Sequence, residues 1–178
     1  MAFSRPRKLY TEDELYEYAV AALGRRMRTV AELKRLLRQR VEPDTEIGQT
    51  LVELIIRKLK DQGYLNDARY AAAYSSYRRD NEKFGSRRVV TELKARGVHG
   101  EVIEQAVGSA YEEVNEERQA REYLKRKRLK KPSGQKQAAR IFRQLVRAGF
   151  RSRTIFTILK KWDVEEEMLT ALDEEGTE

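Results

Sequence analysis

The chain has 178 residues, 37 basic and 29 acidic side chains, a formal net charge of +8, no cysteine, 3 prolines and 10 glycines. Without cysteine there is no disulfide framework and no thiolate metal site, which fits a reducing cytoplasm. No apolar run reaches the roughly 20 residues that cross a bilayer, and the basic start MAFSRPRKLY lacks the apolar stretch of a secretory signal.

So few breakers in a chain rich in Ala, Leu, Glu, Arg and Lys predict an all-α protein. After a flexible segment, residues 1–12, a first helix is expected near 13–25. Thr29-Val-Ala-Glu32 reads as a capping box opening a second helix at 30–40, and a third follows Pro43 at 44–62. Gly63 ends that helix, with Tyr64 folding back onto Leu59, and Asn66 caps the next, 67–80. KDQGYLNDARYAAAY is therefore read as a tight joint rather than an active-site loop. Asp67 and Arg69 within it are assigned to capping and local pairing. Further helices are expected at 86–96, 100–114, 116–130, 134–148 and 152–161, with Ser86 and Ser133 as candidate caps. Gly97-Val98 and Gly149-Phe150 repeat the glycine stop. The acidic end is expected to add a turn or fray.

Three windows align without gaps: Leu37–Leu51, Leu93–Val107 and Leu145–Leu159. Each opens on leucine, carries isoleucine ten residues later (Ile47, Ile103, Ile155) and is preceded at i−4 by Leu33, Val89 or Ile141. Only the first copy lacks the glycine, having Val41 instead, so its turn must differ. The alignment divides the chain into three-helix repeats at 13–65, 66–115 and 116–162, followed by an acidic tail, 163–178.

Charge is uneven along these segments. Residues 116–162 hold 16 basic and 3 acidic side chains, whereas 163–178 hold 8 acidic and none basic. Arg118, Arg121, Lys125 and Arg128 form one helical stripe; Lys136, Arg140, Arg143 and Arg147 form another. Arg126, Lys127, Lys130 and Lys131 extend the charge through LKRKRLKK, and Arg151 and Arg153 follow. Arg87 and Arg88 add cations at a helix start, where they oppose the macrodipole. Phosphates and acidic protein loops both suit such a surface, and the sequence leaves the choice open. The tail could fold over the basic repeat and compete with its partner. Tyr70, Tyr74 and Tyr77 are read as a helix-packing stripe rather than a base-stacking platform. The lone His99 is read as a solvated turn residue, and no phosphate-cradling glycine loop or catalytic constellation is present. No enzymatic activity, cofactor or metal is expected.

Several of these stretches resemble the bacterial regulatory protein RecX family: GYLNDARYAAAY, KFGSRRVVTELKARGV, RAGF and AVAALGRRMRTVAEL, spanning roughly Tyr16 to Trp162. Val41 in place of glycine and Tyr70 in place of a common phenylalanine depart from the pattern. The resemblance implies tandem three-helix repeats forming an elongated, curved molecule. It also implies a monomeric, cytoplasmic, non-enzymatic modulator of homologous recombination, DNA repair and the SOS response. Such a protein binds the RecA–DNA filament and mainly inhibits ATP hydrolysis and strand exchange, with single- or double-stranded DNA as a further partner and no membrane. The alternative is a general helical nucleic-acid binder with helix-turn-helix-like units. ELKARGVHGEVIEQAV has that length, but Glu101 and Glu104 make its second helix acidic.

Overall fold

The computed structural model describes residues 9–43 and 45–175, excepting the side chains of Glu166, Asp173 and Glu175. Most of the expected flexible segment, residues 1–8, and the end of the tail, 176–178, lie outside the described residues. Ten helices and no strand occur among the described residues: α1 (Glu12–Arg25), α2 (Val30–Arg38), α3 (Glu46–Asp61), α4 (Asp67–Asp80), α5 (Ser86–Ala95), α6 (Gly100–Tyr111), α7 (Glu116–Arg126), α8 (Gln135–Arg147), α9 (Ser152–Lys160) and α10 (Glu166–Glu175).

Helix starts follow local chemistry. Thr11 and Thr29 each form a complete capping box, with Glu14 and Glu32 reaching back to the cap N–H. Asn66 accepts from the Arg69 N–H at 2.9 Å, and Asn115 does the same for Arg118. Ser133 is not a cap. Gly134 occupies that position in α8 without a side-chain bond, and the Ser133 N–H donates to Gln137.

The expected glycine stops are present, with positive φ at Gly63, Gly97 and Gly149. At the first, the Gly63 N–H donates to Lys60 O and the Tyr64 N–H to Leu59 O, both at 2.9 Å. The staple is not Tyr64, which is 56% exposed; the next residue, Leu65, is the buried one. Arg128 takes the same left-handed position after α7, at φ 55°. There the Arg128 N–H donates to Lys125 O and the Leu129 N–H to Leu124 O. A side chain in that conformation is strained, so Arg128→Gly should raise stability by about 1 kcal/mol in urea unfolding. An unchanged or lowered midpoint would contradict this turn geometry.

The chain forms two compact units: residues 1–71 with 94–102, and residues 72–93 with 103–178. In unit 1, α2 packs on α3 and α1 lies against both. Leu15, Leu33, Leu37, Ile55 and Leu59 are fully enclosed. The gap-free alignment fails here by one residue. Ile47 is 81% exposed, whereas Ile103 and Ile155 are buried. Gly48 and Val52 take the inward positions instead, because the path from Leu37 to the inward face of α3 is one residue longer than that from Leu93 to Ile103 or from Leu145 to Ile155. A Cβ on Gly48 would stand 2.5 Å from Glu42 O, which explains the small residue at that inward position. Val41 is buried without a left-handed conformation, so the turn after α2 does differ.

Unit 1 also shows what the joint residues do. The Asp67 carboxylate accepts from the Val30 N–H at 2.9 Å, and Arg69 Nη2 donates to Gly63 O. The Thr29 hydroxyl donates to Arg96 O at 2.7 Å, and the Arg96 guanidinium pairs with Glu32 at 2.6 Å. A Cβ on Gly97 would fall 2.4 Å from the Ala31 Cβ, whereas one on Gly63 meets nothing within 4 Å. Gly97→Ala should therefore destabilise more than Gly63→Ala, which carries only a backbone cost of about 1 kcal/mol. Equal urea midpoints for the two variants would contradict this contact.

In unit 2, α9 packs on α7 and α8. The acidic end does more than fray. Its helix α10 lies on α8 and α9, with Leu169 fully buried and Leu172 nearly so. Lys131 pairs with Asp163 at 2.5 Å just before it. Removing residues 163–178 would thus open the core as well as remove acidic charge.

Candidate partner-binding face

In α8, Ala138, Ile141, Phe142 and Leu145 are buried at i, i+3, i+4 and i+7. That spacing turns Lys136, Arg140, Arg143 and Arg147 to the opposite face, and all four are exposed. In α7, Ala120, Tyr123 and Leu124 point inward and Arg118, Arg121 and Lys125 outward. The helix ends at Arg126, so Arg128 is not the fourth member of that stripe.

The two stripes differ electrostatically. Arg118 pairs with Glu122 at 3.3 Å, and Glu117 pairs with both Arg121 and Lys161. The Glu117 carboxyl is lowered mainly by its hydrogen bond from Lys161, and that of Glu122 by one from Lys83. Repulsion among the α7 cations is thus relieved by its own acids. On α8, Lys136, Arg140 and Arg147 make no ion pair among the described residues, nor do Lys125, Lys127, Arg128 and Lys130 around the α7–α8 connection. Arg126 reaches Glu82 at 3.4 Å. Arg151 and Arg153 are exposed at the start of α9, where the Arg151 N–H donates to Glu116. The uncompensated charge lies on α8 and the connection before it.

Arg88 is not a free contact. Its Nε donates to Glu92 at 3.0 Å, its Nη1 to Arg147 O at 3.2 Å, and its guanidinium sits 3.9 Å from the Phe84 ring centre. Arg87 is exposed. Beside Arg88 two glycine turns interlock: the Gly85 N–H donates to Ala148 O at 2.8 Å, and a Cβ on Gly149 would stand 2.3 Å from Arg88 N. The start of α5 thereby satisfies carbonyls left open at the end of α8. This explains why KFGSRR and RAGF each need their glycine. It also fixes the end of the α8 face.

The sequence reading missed Glu92, which collects hydrogen bonds from Tyr74, Arg78 and Arg88. The Arg88–Glu92 spacing was the available signal. Burial alone would raise the Glu92 carboxyl, but the bonds from Arg88, Tyr74 and Arg78 outweigh it and the net shift is downward. A depressed carboxyl contributes stability above its unfolded pKa and loses it as pH falls through the folded value. E92Q should cost about 1–3 kcal/mol at neutral pH, and the gap should close as pH falls through the depressed value of the Glu92 carboxyl. A gap that stays constant in acid would contradict the network. Of the tyrosine stripe, Tyr70 is buried, Tyr74 bonds to Glu92 and Tyr77 is 54% exposed.

His99 is exposed in the turn before α6. No group of three or more His, Cys, Asp or Glu side chains among the described residues could hold a metal. No helix among them is long and apolar enough to cross a membrane.

Residues 66–107 match the family model described as RecX, second three-helix domain. A regulatory protein RecX of Trichlorobacter lovleyi is 32% identical over 151 residues, covering 83% of this chain and 95% of that protein. The chain belongs to the RecX family. Another family member, from Bacillus pumilus, is 32% identical over 154 residues; the match takes in 85% of this chain but only 57% of that longer protein. The crystal structure of RecX from Lactobacillus salivarius shares the fold, with a TM-score of 0.65 at 23% identity over 85% of this chain and 96% of that one.

Proposed function

We propose that this chain is a cytoplasmic, non-enzymatic regulator that binds the RecA–DNA filament and mainly inhibits its ATP hydrolysis and strand exchange. Family membership supports the partner, and the uncompensated cations of α8 support the place of contact. Lys136, Arg140 and Arg147, with Lys125, Lys127, Arg128 and Lys130, meet the polyanionic filament, and Arg143 lies on the same stripe of α8. Arg118, Arg121, Arg126, Lys131, Arg151 and Arg153 border that face, and Arg87 contributes from the start of α5. The chain acts as a monomer built of three-helix repeats. Helix α6 keeps Glu101 and Glu104 exposed, which disfavours reading of bases by that helix.

Co-sedimentation with RecA filaments preassembled on single-stranded DNA tests the reading. The chain should pellet with filaments and persist at salt that strips it from bare DNA. Phosphate contacts alone lose affinity steeply as salt rises, whereas a fitted protein complex retains more. Equal release from bare DNA and filament would make the chain a general nucleic-acid binder.

A further inference from the structure

Unit 1 carries a groove of about 500 Å³ that the proposed function leaves unused. It runs beside the end of α1 and the α3–α4 joint, and its walls include Val20, Leu23, Met27, Arg28, Tyr64 and Arg69. Helix α1 explains half of it. Leu15, Ala19 and Ala22 enter the core, which leaves Tyr16, Val20 and Leu23 on a second apolar face that is only half-buried. Met27 and Tyr64 continue that face at 48% and 56% exposure. Large apolar side chains so exposed and so close together are more than scattered surface residues.

The charged side chains that line the groove have one sign. Arg28 and Arg69 stand in its walls, and Arg25 and Arg26 are exposed where the chain leaves α1. Arg28 donates to Ala22 O at 3.3 Å and Arg69 to Gly63 O at 2.9 Å, so carbonyls hold both guanidinium groups without neutralising them. No Asp or Glu lines the groove, and the nearby Asp67 is turned to the Val30 N–H. A second copy of the chain is a poor occupant, because a two-fold pairing would bring the same cations against each other.

We propose that this groove binds an acidic peptide segment carrying bulky apolar side chains, which enter among Val20, Leu23, Met27 and Tyr64 while its carboxylates meet Arg25, Arg26, Arg28 and Arg69. The groove belongs to unit 1, and its test involves neither DNA nor a recombinase, so it stands or falls separately from the proposed function.

The probe is a fluorescein-labelled amphipathic peptide of glutamate, leucine and phenylalanine, titrated with the full chain in an anisotropy assay. It should bind, and its lysine-for-glutamate counterpart should not. The double variant R25E/R26E and the single variant M27S should each weaken binding at least about fivefold, with unaltered melting curves. Any of four results overturns the proposal. The peptide fails to bind; M27S binds as well as the unaltered chain, which leaves only general charge attraction; K136Q/R140Q/R147Q loses the peptide, which places it on α8; or M27S abolishes a self-association, which makes the face an interface between copies.

Discussion

The triple variant K136Q/R140Q/R147Q should require about tenfold or more protein to inhibit RecA's DNA-dependent ATPase, since three exposed ionic contacts of about 0.5 kcal/mol each are lost. These side chains face outward from α8 with no ion pair among the described residues. Their removal touches none of Ala138, Ile141, Phe142 and Leu145 in the core. Circular dichroism melts should accordingly match those of the unaltered chain. The informative comparison is R118Q/R121Q. On net charge alone it should cost nearly as much, but both arginines are already engaged by Glu122 and Glu117. We expect less than about a twofold effect for it, because exposed pairs have already spent much of their field locally. A larger loss from the α7 variant than from the α8 variant would move the contact to the wrong stripe.

Gly149→Ala should cost unit 2 about 3–5 kcal/mol, enough to shift its urea midpoint strongly or prevent folding. Two penalties coincide. The residue has φ 90°, where a Cβ is strained whatever the space, and the added methyl would meet Arg88 N at 2.3 Å and Gly85 O at 2.8 Å. Those neighbours are backbone atoms held by the Gly85-to-Ala148 hydrogen bond, so neither can swing away. Movement there would also loosen the Arg88 bond to Arg147 O at the end of the α8 face. The Gly63→Ala variant is the control, with positive φ but open space. Equal midpoints for the two would show that the turn-to-turn contact between Gly85 and Gly149 contributes nothing.

What the sequence revealed and what it hid have physical reasons. Caps and glycine stops are local, so Thr29, Asn66, Gly63 and Gly149 could be read directly from neighbouring residues. The inward faces of α7 and α8 followed from period alone. The register of α3 did not, because a one-residue shift between Leu37 and the inward face of α3 leaves no mark in composition, and Ile47 looked like a core residue. Helix α10 was obscured by its acids, although Leu169 and Leu172 carry the spacing that buries it. The unequal charge of the two stripes could have been anticipated from Glu117–Arg121 and Arg118–Glu122 at i, i+4. Lys161, which joins Glu117 from just past the end of α9, could not, because that contact spans 44 residues. Arg88 likewise looked like a surface cation, because its partners Arg147 O and Phe84 come together only through the fold.

A chain that acts on the filament rather than on bare DNA should differ from a DNA competitor in the amount needed to inhibit. RecA's ATP hydrolysis, followed on filaments preassembled on single-stranded DNA while this chain is added, tests this most directly. Inhibition should set in when the chain is present far below the number of DNA binding sites, with the half-inhibiting amount unchanged when bare DNA is added in modest excess. Inhibition that appears only once the chain saturates the DNA, and that bare DNA relieves in proportion, would contradict it.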